Sequence, residues 1–146
     1  MPTPTLSRLD LAREQLELAI ELFLSGRSDV AALTLAGAAE EVLGQAVKHK
    51  GGETAMDSAF ETTSHFHRLL HGQELKWKDF ADSENEARNA AKHMRNPAEE
   101  AITVDMRRAA QWMIVRACGN SDRLDLPRME GMAAFDNWFY EYEVGV

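Results

Sequence analysis

The strongest constraint on this chain is the spacing of its apolar residues, which recur at three- and four-residue steps through several long windows. Leu9, Ala12, Leu16, Ala19, Ile20 and Phe23 follow that rule. So do Val30, Leu33, Leu35, Ala38, Val42, Leu43, Ala46 and Val47. A 3.6-residue period places such residues on one face of a helix, whereas a half-buried strand needs alternation at every second residue. No useful length of alternation occurs in the sequence, and no internal repeat is visible. The spacing therefore predicts an all-α fold.

Punctuation sets the predicted helix ends. Ser7 caps the first helix and Gly26 stops it; Ser28 opens the second, which ends at Gly51-Gly52. The connection between them is only a few residues long, so the two should pair as an antiparallel hairpin. The small residues Ala36, Gly37, Ala38 and Ala39 would let a neighbouring element approach closely. A third helix is expected from Glu53 to His71 with Met56, Phe60, Phe66 and Leu70 on its apolar side, although Thr62-Thr63-Ser64 weakens it. A polar connection from Gly72 to Asp82 follows, with Trp77 and Phe80 folding back onto the body. Ser83-Glu84-Asn85-Glu86 has the pattern of a capping box and should start a helix running through Met94. That helix should stop near Arg95 or Asn96, because Pro97 disfavours helical geometry in the residue before it. Asp105 caps a further helix through Met106, Ala109, Ala110, Met113, Ile114 and Ala117, and Pro127 allows a short C-terminal one. The expected architecture is an antiparallel, up-and-down helical bundle of about four or five main helices plus that short C-terminal helix. With 146 residues, the whole of 1–146 reads as a single domain.

Charge and cysteine usage narrow the function classes. The formal charge of −8 opposes broad affinity for phosphate backbones. Arg88, Lys92 and Arg95 nevertheless bunch together while acids gather elsewhere, which leaves room for a local phosphate site. The single cysteine, Cys118, has no partner for a disulfide or a thiolate metal cage and reads as a small core residue. No apolar run is expected to reach the roughly 20 residues that cross a bilayer, and Met1 to Thr5 lacks the regions of a signal peptide. The expectation is a cytoplasmic chain without a membrane partner.

The stretch Arg88-Asn89-Ala90-Ala91-Lys92-His93 carries the most chemistry. On a helical wheel with Arg88 at zero, Asn85 falls near ~60°, Asn89 near ~100° and His93 near ~140°, opposite the alanines and Met94. One short stretch thus offers a guanidinium, an imidazole and two amides. Cleavage of RNA by its own 2′-hydroxyl needs a group that exchanges a proton near neutrality, and imidazole does so with an ordinary pKa of about 6.5. It also needs a fixed cation against phosphate, which guanidinium supplies as a planar fork of donors. No metal or cofactor is required. Read on chemistry alone, the same residues also suit a solvated helix face.

Arg-Asn-x-x-x-His on a late helix of a small helical bundle resembles the signature of the HEPN superfamily (higher eukaryotes and prokaryotes nucleotide-binding domains). The order of helices is also similar, from the first hairpin with Ala36-Gly37-Ala38-Ala39-Glu40-Glu41 to the helix after the motif, so the resemblance covers most of the chain. It implies a metal-independent ribonuclease of the toxin or defence type, working as a homodimer whose two motifs share one cleft. Arg88 and His93 would then be catalytic and Asn89 would position them, with Asn85, Lys92 and Glu40 as binding residues. It equally admits a non-catalytic module that binds nucleotide or a protein partner, such as an antitoxin or a neighbouring gene product.

Three further features are weaker. Glu40 shares a row with Leu33, Ala36, Leu43 and Val47, so its carboxylate would either enter an apolar seam and need a partner, for which Arg88 or His93 is a candidate, or sit at the exposed edge of that seam. His67 and His71 share a helix face and His65 lies near Glu61, but no thiol or further acid completes a ligand set. Met132, Phe135, Phe139 and Tyr142, flanked by Trp138 and Tyr140, form a stripe that suits either the core or a dimer interface.

Overall fold

A computed structural model describes residues 1–145. Those residues form seven α-helices and no strand: α1 (Arg8–Ser25), α2 (Asp29–His49), α3 (Ala55–His71), α4 (Trp77–Glu84), α5 (Glu86–Lys92), α6 (Met106–Arg123) and α7 (Glu130–Phe139). A 3₁₀ turn spans Pro97–Glu99, and a π turn, Tyr140–Val144, extends α7.

The caps explain most of the ends. Ser7, Ser28 and Asp105 each accept a hydrogen bond from the backbone N–H three residues on. Thr54 and Asp57 make a reciprocal capping box at the start of α3. Gly26, at φ 71°, closes α1 in the left-handed conformation that glycine adopts without a Cβ penalty.

The core lies where α1, α2 and α6 meet. Leu16, Ile20 and Phe23 of α1, Leu33 and Leu43 of α2, and Met113 and Ile114 of α6 are all at most 2% exposed. Side chains of this size contribute roughly 1.5–3 kcal/mol each when fully buried. The row expected on α2, with Leu33, Ala36, Glu40, Leu43 and Val47, is buried throughout. Asp29 pairs with Arg107, Glu40 with Arg116, and Gly44 lies beside Asn120. These register points ascend together along both helices, so α2 and α6 run in the same direction. Phe135 of α7 meets Phe23 at 5.8 Å between ring centroids, and Met132 is fully buried, which places the front of the C-terminal stripe in the core. Tyr140 and Tyr142 remain exposed.

Three elements depart from the sequence-based reading. The stretch taken as a connection before Ser83 contains α4, because Phe80 is buried there and stacks in a cluster with Phe60 and Trp77. α3 is continuous through Thr62-Thr63-Ser64, but only Met56 of its residues is buried, and Phe66 and Leu70 are exposed rather than packed. α2, finally, is long and apolar enough to cross a membrane by length and composition, contrary to the expectation that no segment is. Half of its most apolar window is buried inside the protein, against α1 and α6.

Candidate functional site

Glu40 is the centre of the candidate site. From α6, Arg116 Nη2 lies 2.9 Å from Glu40 Oε1; from α5, Arg88 Nη1 lies 3.5 Å from Oε2. Arg116 Nη1 donates to Asn85 Oδ1 at 3.0 Å. One carboxylate therefore faces two guanidiniums, and Asn85 is held by that of Arg116. Asn120 closes the back of the arrangement, donating to the Glu40 carbonyl at 3.2 Å and accepting from the Ala55 N–H at 2.8 Å.

The glycines of α2 make this possible. A Cβ on Gly37 would come within 2.7 Å of Arg88 Cδ, and one on Gly44 within 3.2 Å of Asn120 Nδ2. The stem of Arg88 therefore crosses α2 at Gly37, where no side chain stands in its way. The helix penalty of a central glycine, about 1 kcal/mol relative to alanine, is offset by that approach.

The local chain path differs from the expected helix. Ser83 is not a cap; it lies inside α4, and α4 and α5 meet at Asn85, which has φ −104° and ψ 6° and makes no side-chain cap. Burial of Phe80 starts a helix earlier than the Ser83 pattern would, and the bond to Arg116 takes the Asn85 side chain away from the helix row. α5 ends at Lys92, and His93 is extended at φ −132° and ψ 136°. The turn behind it is closed by Asn96 Oδ1 accepting from Ala98 N and by Glu99 accepting from Arg95 N. The helix thus stops before Met94, and His93 does not continue the polar row of Asn85 and Asn89.

In consequence the motif is divided between two cavities. Arg88, Asn85 and Glu40 line one of about 140 Å³, with Arg116 and Lys48 also in its wall. Asn89 and His93 line another of about 490 Å³, with Lys78, Asp82 and Arg95. Lys92 is exposed and lines neither. The residue that sequence reasoning missed is Arg116. Its signal was a charged residue at 116 on the apolar face of α6, flanked by Met113, Ala117 and Asn120 and matching the buried Glu40 on α2.

Other candidates carry less. Burial pushes the Cys118 thiol up from 9.0 to about 12, so it is neutral and unreactive in the folded chain. The rings of His67 and His71 lie 4.8 Å apart, but among the described residues no three His, Cys, Asp or Glu side chains converge to hold a metal ion. No protein-family model, curated protein or solved structure matches this chain.

Proposed function

We propose that residues 1–146 form one HEPN-like domain, an up-and-down helical bundle, that acts as a metal-independent endoribonuclease of the toxin or defence type in a cleft completed by a second copy. The observation that carries this reading is the anchorage of Arg88, which crosses Gly37 and is paired to a buried carboxylate. A residue on a merely solvated helix face has neither a glycine cut away beneath it nor a buried counter-charge.

In this reading Arg88 supplies the fixed cation against the phosphate and His93 exchanges the proton, with Asn89 beside it. The 2′-oxygen bonds to phosphorus and gives its proton to the base. The bond to the 5′-oxygen breaks, and that oxygen takes a proton, leaving a 2′,3′-cyclic phosphate and a 5′-hydroxyl. Arg88 and His93 of one chain open on different cavities, so the pairing of cation and imidazole requires a second copy. Exposed apolar residues on α3, Phe66, Leu69 and Leu70, support a surface that such a copy would cover.

The same separation favours a second reading, a non-catalytic module that binds nucleotide or a protein partner such as an antitoxin. One assay separates the two. The protein is incubated with mixed RNA in a chelator beside Arg88→Ala and His93→Ala variants. The expected result is cleavage by the wild type that falls by about 100-fold or more in each variant, the usual scale of a lost acid–base group. Cleavage unchanged in both variants rejects the site, and no cleavage by the wild type selects the binding module.

A further inference from the structure

The cavity beside Arg88 goes further than the anchorage itself. Arg116 spends both terminal nitrogens, one on Glu40 and one on Asn85. Arg88 holds only the longer ion pair at 3.5 Å and, among the described residues, donates no hydrogen bond within the chain. Its Nε is buried without a partner. The Glu40 charge is thus taken up mainly by Arg116, and the terminal nitrogens of Arg88 keep donor capacity beside the cavity they line. Buried guanidinium donors demand acceptors, and phosphate oxygens match their fork.

The wall charges agree. Lys48, Arg88 and Arg116 face Glu40 and Glu41, a local positive excess on a chain of charge −8. At about 140 Å³ the cavity is smaller than the roughly 300–1,000 Å³ that encloses a whole drug-sized ligand. A phosphate group fits inside while anything larger attached to it must lie outside. Trp77 lines the same cavity and keeps 41% of its surface exposed. Its ring packs against Phe60 in a T-shaped arrangement at 5.2 Å between centroids, which holds an aromatic group beside the cavity.

We propose that this cavity is a nucleotide subsite, in which Arg88 binds the phosphate, Lys48 stands at its rim and the base stacks on Trp77. The proposal rests on the reading of the chain as a nucleotide- or RNA-directed domain and names where the ligand sits. Stacking on an aromatic face is tolerant of base identity, so the subsite takes purines and pyrimidines alike. The nucleotide can be free or part of a strand.

Two probes distinguish these sources: 5′-AMP, and a short fluorescein-labelled oligodeoxynucleotide, which has no 2′-hydroxyl and is bound without self-cleavage. Binding to the full chain is measured by calorimetry for the first and anisotropy for the second, with Trp77→Ala, Trp77→Phe and Lys48→Glu variants. Trp77→Ala is expected to weaken binding about tenfold, Trp77→Phe to recover most of it, and Lys48→Glu to weaken it without altering the thermal melt. Binding of 5′-AMP assigns the site to a free nucleotide, and binding of the oligonucleotide alone assigns it to a strand. No binding of either probe at millimolar concentration, or binding indifferent to both Trp77→Ala and Lys48→Glu, overturns the subsite. Binding that depends on Trp77 in a protein that cuts no RNA rejects the ribonuclease and leaves the subsite standing. Cleavage that needs Arg88 and His93 but ignores Trp77 in both KM and kcat does the reverse.

Discussion

At the scale of single residues, the unequal sharing of Glu40 between two arginines sets unequal costs. Removing a carboxylate that serves a buried guanidinium leaves an uncompensated charge and typically costs about 3–5 kcal/mol. Glu40→Ala should therefore be destabilised by about that much in urea unfolding, since its side chain and that of Arg116 are both 10% exposed. Arg88→Ala should cost less than half as much, because Glu40 keeps its shorter bond to Arg116. Equal losses would show that Arg88 carries the Glu40 charge, and its spare donors would then be illusory. Glu40 and Arg88 were legible in the sequence as a buried acid and a motif cation. Arg116 was not, because its meaning depends on positions 40 and 85, which the chain brings together only after folding.

Individual helices show why some boundaries were readable and others were not. α1, α2 and α6 begin after Ser7, Ser28 and Asp105, whose capping bonds are local and whose apolar rows are long. α4 is short and buries only Phe80, so no periodic row announces it; its helix is favoured by the aromatic cluster with α3. The Ser83 pattern is a sound local signal that this packing overrides. The cap observed at Thr54 and the cap expected at Ser83 therefore separate cleanly on mutation. Thr54→Ala removes a working capping box and should lower stability by about 1 kcal/mol in chemical denaturation. Ser83→Ala removes an exposed hydroxyl in the last turn of α4 and should change it by less than about 0.5 kcal/mol. A Ser83 loss as large as that of Thr54 would restore the helix start at that residue. The end of the motif helix was misread for a related reason: Pro97 marks where helix is forbidden, while the bonds that draw the chain out at His93 come from Asn96 and Glu99 beyond it.

For the molecule as a whole, the mass of the core is settled by α1, α2 and α6, while α3 projects an apolar edge of Phe66, Leu69 and Leu70 at 56%, 68% and 77% exposure. Such an edge on a separate element is a natural place for a second copy to add its own surface. Sedimentation at tens of micromolar should give a dimer, and Leu70→Glu should shift it to a monomer with little loss of stability, since the side chain is already in water. A wild-type monomer would remove the two-copy cleft. The fastening of α5 also bears on how such a cleft would form. The side chains that tie it inward are Asn85, at its entry, and Arg88, in its leading half, whereas His93 lies past its trailing end and, among the described residues, makes no side-chain hydrogen bond. The segment is moored at one end only, so a surface arriving from outside can redirect the imidazole while leaving the arginines at their posts.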